Sequence, residues 1–598
     1  MNKQKTALIS VYNKEGIADF AKELVLLGWK IISSGGTAKA LKDAGIEVTE
    51  LSHVTGMPPI LDHRVLTLHP KIHGGLLALN KPEHLAELKK YGIEWIDMVC
   101  SDLYPLEDEV LKPEATKESV IEKTDMGGVA LLRSSAKGRR ITICEPQQRE
   151  EVIAWLKAGE PDRENFLNDL AAKADALVAR YSSVSAEYHS GGEYKGIFGK
   201  KKIECAYGEN AWQKPAVLYE NSDVGRQEFG RPTSDWLAIS NWQLVAGNPM
   251  SYNNICDLDR MMQTMTHIGA GFEKNFGKIP FIAIGAKHGN ACGAGTDETE
   301  IESVDKMLLG DLRAIFGGSV MLNFNVDEKI AEELIHKYSG VDGDVPRRRL
   351  LDIVAAPSFS DEAVEILSRK KGKCRLLMNP AISKAGLAEL DVAVRFRYVR
   401  GGFMEQPNYT FVPKIDPSSI LPTPPDLPLS GEAHRFPLIR GNTKGFAGEE
   451  EIRNIILAWA VGSTSNSNTI TIVKEGRLYG NGVGQQDRVG AAKLAIFRAD
   501  DAAKFAFDQQ KNSAALLHPT GGTFRGENFS ADLSGAVAYS DSFFPFPDAP
   551  DALIERGIKT IFSTSGSVND EKIIELCRQK GVNLTLLPDT EARGFYQH

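Results

Sequence analysis

The sequence predicts an α/β protein of two domains. Three observations lead there: strand-like and helix-like patterns alternate from the first residues, glycines sit where helices should stop, and 598 residues are too many for one core. With 42% hydrophobic and 25% charged residues, the composition is that of ordinary globular protein. The 70 basic and 79 acidic side chains leave a net charge of -9, so no overall positive field exists to recruit nucleic acid. A local basic pocket for a phosphorylated metabolite remains open. Seven cysteines, at 100, 144, 205, 256, 292, 374 and 577, form no CxxC pair. That pattern argues against a disulfide framework or structural zinc and fits a reducing compartment. MNKQKTALISVYNKEG reads as a first strand rather than a signal peptide, and no apolar run approaches membrane-spanning length. The expected location is the cytoplasm.

In order, TALISVY is a buried strand, and Ile17, Phe20, Ala21, Leu24 and Leu27 form a helical stripe that Gly28 is placed to stop. KIISS is the next strand, SGGT a tight turn, and TAKALKDAG a helix closed by Gly45. WIDMVCSDLYP and RRITICEP are further strands with the helical GGVALLRSSAK between them. Residues 151–190 read as helices, and the Gly- and Lys-rich SGGEYKGIFGKKK at 190–202 marks the domain boundary. Beyond it, PFIAIGAK, NTITIVKEG and GAVAYSD read as strands alternating with helices, and the proline-dense 407–437 as a long connection. The basic runs at 347–349 and 369–373 read as solvated helix ends or turns.

In the first domain, Ser34-Gly35-Gly36-Thr37 lies between a strand and a helix. It is either a plain βα turn or an anion site built from backbone N–H groups at a helix N-terminus. His63-Arg64 and Thr67-Leu68-His69-Pro70 place a cation and a hydroxyl in a loop-like stretch. Asp125-Met126-Gly127-Gly128 opens a helix that carries Arg133 and Lys137 four residues apart, a repulsive spacing unless a carboxylate such as Asp125 or a bound phosphate lies between them.

Together, ALISVYNKEGI, SSGGTAKALKDAGIEV, TLHPKIHGGLLA and DMGGVALLRSSAKG resemble the IMP cyclohydrolase domain of the AICAR transformylase/IMP cyclohydrolase family, whose fold is methylglyoxal-synthase-like. The resemblance implies phosphate binding by Ser34, Gly35, Gly36, Thr37, Arg64 and Thr67. It implies ring closure through Tyr104, Asp125 and Lys137, a step that needs proton movement and a stabilised oxyanion. Where the family reads RVKTLHP, this chain has Leu66, which neither donates a hydrogen bond nor carries charge.

In the second domain, the apolar strand 281–286 ends in Lys287-His288, read as followed by a loop, GNACGAG. A His beside a Lys is a candidate base, although a chance pair is the simpler reading, and Cys292 reads as packing. KHGNACG resembles the KH-x-N/S-P-C/A-G segment of AICAR transformylase. YGENAWQKPAVLY, SYNNICDLD, AIFGGSVMLN, GNGVGQQDRV, SDSFFPFPDA and the terminal His598 follow in the family's order.

The resemblance implies that His288 takes a proton from the aminoimidazole amine, that Lys287 stabilises the formyl oxygen, and that Asn468 orients the formyl group. It implies nucleotide contacts at Tyr207, Asn254, Gly317, Asp352 and Arg593, and a folate surface of Gln486, Phe543, Phe544 and Asp548. For the two phenylalanines, core packing is an equal reading. The family's LRYGxNPHQ is here Cys205-Ala206-Tyr207-Gly208-Glu209-Asn210-Ala211-Trp212-Gln213, so a phosphate-pairing arginine is Ala206 and a histidine is Trp212.

The expected organisation is a methylglyoxal-synthase-like cyclohydrolase domain at 1–199, then a transformylase domain at 200–598 of two cytidine-deaminase-like α/β halves without zinc. The co-substrate would be 10-formyltetrahydrofolate, with no metal, and the enzyme a homodimer. Two rivals stand beside it: a transformylase with a silent first domain, and a non-catalytic nucleotide sensor. The Lys287-His288 pair speaks against the sensor, because sensing alone requires no base.

Overall fold

The computed structural model describes residues 4–61, 64–221, 235–339, 341–342, 345–416, 448–510, 523–525 and 528–596. Contacts divide the chain into two units, Met1–Gly199 and Lys200–His598. Most of the proline-dense stretch, together with His63 and His598, lies outside the described residues.

In the first unit, the buried run TALI is β1 (Thr6–Ile9) and KIIS is β2 (Lys30–Ser33). With β3 (Thr49–Glu50), β4 (Met98–Cys100) and β5 (Ile141–Ile143) they form a parallel sheet ordered β3-β2-β1-β4-β5. Helix α1 (Ile17–Leu26) buries Ile17, Phe20, Ala21 and Leu24, and Gly28 follows it at φ 82°. Leu27 departs from the expected stripe: it is the C-cap, past the last helical turn, and is 37% exposed. Helix α2 (Gly35–Asp43) leaves β2 at once, and α3 (Gly127–Lys137) lies between β4 and β5. Helix α4 (Arg163–Ser190) buries Leu167, Leu170, Ala174, Val178 and Tyr181. Strand order reverses between β1 and β4, which opens a crevice at their carboxyl ends.

The second unit is built round one large sheet of two matching halves. The first half runs α5 (Tyr252–Phe276), β7 (Phe281–Lys287), β8 (Asn290–Asp297), α6 (Glu300–Leu308), β9 (Gly318–Leu322), α7 (Glu328–His336), β10 (Leu351–Ala356), α8 (Asp361–Leu367) and β11 (Arg375–Met378), preceded by an edge strand β6 (Gln243–Ala246). The second repeats that order with α9 (Glu449–Ser463), β12 (Ile470–Lys474), β13 (Arg477–Gly482), α10 (Arg488–Gln510), β14 (Val537–Ser540), α11 (Asp548–Glu555), β15 (Thr560–Ser565), α12 (Asp570–Lys580) and β16 (Asn583–Pro588). Pairing repeats too. In each half the hairpin is antiparallel, its first strand is antiparallel to the next strand, and the last two pairings are parallel. The halves join where β8 pairs with β13, giving an 11-stranded sheet.

Helices α5 and α9 cover one face together, packing Met265, Ile268 and Phe272 with Ile455, Ile456 and Trp459. A Cβ added at Gly271 would stand 2.6 Å from Ile456, so only glycine allows that approach. Two sequence expectations fail in this unit. GNACGAG is not a loop but most of β8, because small residues fit where β8 lies against α6 and Met307. Arg349, expected in solvent, is buried and donates to the backbone carbonyls of Leu334 and Lys337 at the end of α7.

Candidate active sites

In the first unit, the crevice between β1 and β4 gathers polar side chains. Ser34 is the N-cap of α2 without a side-chain cap bond, and Gly35 and Gly36 are exposed, so the turn presents open backbone N–H groups. Thr37 is buried; its hydroxyl donates to the Val11 carbonyl at 3.0 Å and accepts from the Val11 N–H at 3.2 Å. Lys14 bends back onto the same turn, its Nζ donating to the Tyr12 carbonyl at 2.9 Å and its Cε beside Gly36. Burial lowers the pKa of this lysine, against the opposing pull of Asp102.

Asp125 accepts from the Gly128 N–H at 2.8 Å, and the Thr67 hydroxyl lies against Gly127. Burial raises the Asp125 carboxyl above its ordinary range although the N–H groups of Gly128, Tyr104 and Gly127 oppose it. Tyr104 packs edge-on against Tyr12 with ring centroids 5.5 Å apart, and burial followed by Asp125 raises its phenol. Three expected cations stand elsewhere. Lys137 is exposed at the far end of α3, about 15 Å along the helix from its first residue, Gly127, which follows Asp125 by two positions. Arg133 pairs with Asp175 at 3.2 Å and Arg64 with Glu122, so neither arginine pairs with Asp125. Leu66 packs against the apolar cluster that contains Leu8 and Ile32.

In the second unit, Lys287 closes β7 and His288-Gly289 make the two-residue turn into β8, with φ 52° and 73°. Such a turn needs φ > 0 at both positions, and the strain is greater for histidine than for glycine. It leaves His288 exposed at the end of two central strands of the sheet. Lys287 Nζ donates to the Phe316 carbonyl at 3.0 Å, and Gly317, at φ 73°, leaves room beside that ammonium. Just past the turn, the Asn290 side chain accepts from the Asn466 N–H at 3.2 Å. Asn468 then donates through Nδ2 to the Gln485 carbonyl at 2.9 Å, with Gln486 exposed next to it. Ser467 donates to Asp541 at 2.6 Å, and the Gly594 N–H reaches the Asp541 carbonyl at 3.2 Å. Arg593 pairs with Asp589 and lies 5.8 Å from the Phe543 ring. These groups cluster at the carboxyl ends of the parallel strands β14, β15 and β16.

Other expected residues fall into local structural roles. Asn254 is the capping-box partner of Ser251 at the start of α5, and the Tyr207 carbonyl accepts from the Tyr252 N–H at 3.0 Å. Asp352 pairs with Arg369 at 3.1 Å, and Asp548 opens α11 by accepting from the Ala549 N–H. Phe544 is 2% exposed in the second half's core, which corrects its place on a folate surface; Phe546, at 60% exposed, is the open ring of that segment. Trp212 is 80% exposed, so its indole fills no interior space. Sequence reasoning passed over Asp257, Asn290, Arg488 and Asp541, each inside a motif singled out for its neighbours, and Asn466, two residues before Asn468. It also passed over Tyr12 and Lys14. The signal available was a polar residue inside an otherwise apolar or glycine-rich run.

The fold and sites define a two-unit α/β enzyme with one crevice site and one hairpin-turn site. Residues 138–498 match the family described as AICARFT/IMPCHase bienzyme, and residues 16–130 match an MGS-like domain. A bifunctional purine biosynthesis protein PurH of Halalkalibacterium halodurans is 35% identical over 97% of this chain and 98% of its own length. The PurH of Anoxybacillus flavithermus is 34% identical over the same shares. A crystal structure of ForH covers 32% of this chain and 100% of its own at 32% identity, with a TM-score of 0.29. The chain belongs to the AICARFT/IMPCHase bienzyme family.

Proposed function

We propose that the chain performs both closing steps of purine synthesis: formyl transfer from 10-formyltetrahydrofolate to AICAR in the unit 200–598, and cyclisation of FAICAR to IMP in the unit 1–199. His288 takes a proton from the 5-amino group as its nitrogen bonds to the formyl carbon. Lys287 and Asn468 hold the developing oxyanion, and tetrahydrofolate leaves with a proton on the nitrogen that carried the formyl group. Arg593 and Phe543 line the second half's share of the site, with Gln486 and Asp548 on the folate side.

The observation that carries this reading is the join between the Lys287-His288 hairpin and the 465–468 segment through Asn290, which gathers base and oxyanion donors at one end of the sheet's central strands. In the first unit, the 34–37 turn and Thr67 take the phosphate while Asp125 and Tyr104 move the protons of ring closure. We place the enzyme in the cytoplasm as a homodimer. Among the described residues no helix is long and apolar enough to cross a membrane. The hairpin of Val394–Val399 and Gly402–Pro407 exposes Tyr398, Phe403 and Met404, a surface suited to a second copy.

The test is a two-step assay. Wild type converts AICAR and 10-formyltetrahydrofolate to IMP, whereas Asp125→Asn stops at FAICAR; IMP formation by that variant at the wild-type rate would overturn the cyclohydrolase assignment. Leu66 in an apolar cluster favours a second reading, a transformylase with a silent first unit. FAICAR fed alone decides it, since a silent unit yields no enzyme-dependent IMP until Leu66→Lys restores the cation.

A further inference from the structure

The two halves of the second unit build the same hairpin turn, and in each one a helix side chain accepts the N–H of the turn glycine. In the second half the turn is Glu475-Gly476, at φ 53° and 68°, and the buried Asn454 of α9 accepts the Gly476 N–H at 2.8 Å. In the first half the turn is His288-Gly289, and Asp257 of α5 accepts the Gly289 N–H at 2.8 Å. A neutral amide therefore suffices to hold this turn. The half that carries histidine uses a carboxylate instead, although burial makes a charge there costly and raises the Asp257 carboxyl above its ordinary range against the Gly289 N–H and His288. The Ser319 hydroxyl, 3.5 Å away, and Arg260 are its other neighbours.

We infer that Asp257 is a positioning residue for formyl transfer: its Oδ1 fixes the turn, and its negative charge stabilises the imidazolium that forms when His288 accepts the amine proton. This rests on His288 being the base. A carboxylate behind the turn favours the positive charge that proton transfer brings to the ring, and replacing it with an amide removes that attraction without altering the turn.

Steady-state kinetics of the full chain with AICAR and 10-formyltetrahydrofolate test it. Asp257→Asn copies the arrangement at Asn454, so its melting temperature should match wild type and its KM for AICAR should stay within about twofold. Its kcat should fall by about tenfold or more, as the charge that develops on the ring in the transition state loses its counterion. Should the asparagine variant not fold, Asp257→Glu against Asp257→Gln makes the same comparison, with only the glutamate retaining kcat. Unchanged kcat in a folded neutral variant overturns the inference. If His288→Ala is dead while Asp257→Asn is fully active, only this inference fails; if His288→Ala is active, the reading beneath it fails.

Discussion

Arg488, the first residue of α10, donates to the fully buried carboxylate of Asp541 at the end of β14, and this pair ties the second half's site to its core. Asp541 also accepts from Ser467 and from the Thr469 N–H, so one carboxylate sets the segment that carries Asn468. Removing the cation leaves a buried charge without its ion partner. Arg488→Leu is expected to cost about 3–5 kcal/mol by denaturant unfolding, with formylation lost alongside. A loss under about 1 kcal/mol would show the pair to be dispensable.

The two adjacent phenylalanines should separate cleanly. Phe544 fills the core with Ala538 and Leu553, so Phe544→Ala should lower stability by about 3–5 kcal/mol. Phe543 is half-buried beside Arg593, and Phe543→Ala should instead raise the KM for the folate with stability little changed. Unfolding curves and folate titrations on both variants check this.

Asp589 gives a pH dependence. Burial alone would raise its carboxyl, but hydrogen bonds from Arg593, Thr564 and Ser542 outweigh that and hold it below the ordinary carboxylate value of 3.8. A depressed folded pKa means stability that is present above the unfolded value and is lost as pH falls through the folded one. Arg593→Met should therefore be less stable than wild type near neutrality, and the difference should shrink below about pH 4. Denaturation midpoints measured from pH 3 to about 7 would show it; a constant offset would contradict it.

Much of this was legible in the sequence because it is periodic or local. Continuous apolar runs marked β1, β2, β7 and β12, and the glycines after α1 and α2 marked their ends. The Lys287-His288 pair stood out as charge at the end of an apolar strand. What sequence hides is which residues meet. The join of Asn290 to Asn466 spans 176 positions, and no local pattern predicts it. GNACGAG looked like a loop because glycine is common in turns, yet here small residues admit α6 against β8. Arg349 looked solvated because its run is basic, while its guanidinium in fact satisfies helix-end carbonyls. Lys137 lay near Asp125 in the motif but a full helix away in space.

The most direct test is folate-dependent formylation of AICAR by His288→Ala, with folding verified by its unfolding midpoint. His288 projects from a hairpin turn at the strand ends and is exposed, so the variant should fold as wild type does. Loss of a general base predicts a fall in kcat of about 100-fold or more. Turnover at the wild-type rate by the folded variant would contradict the account.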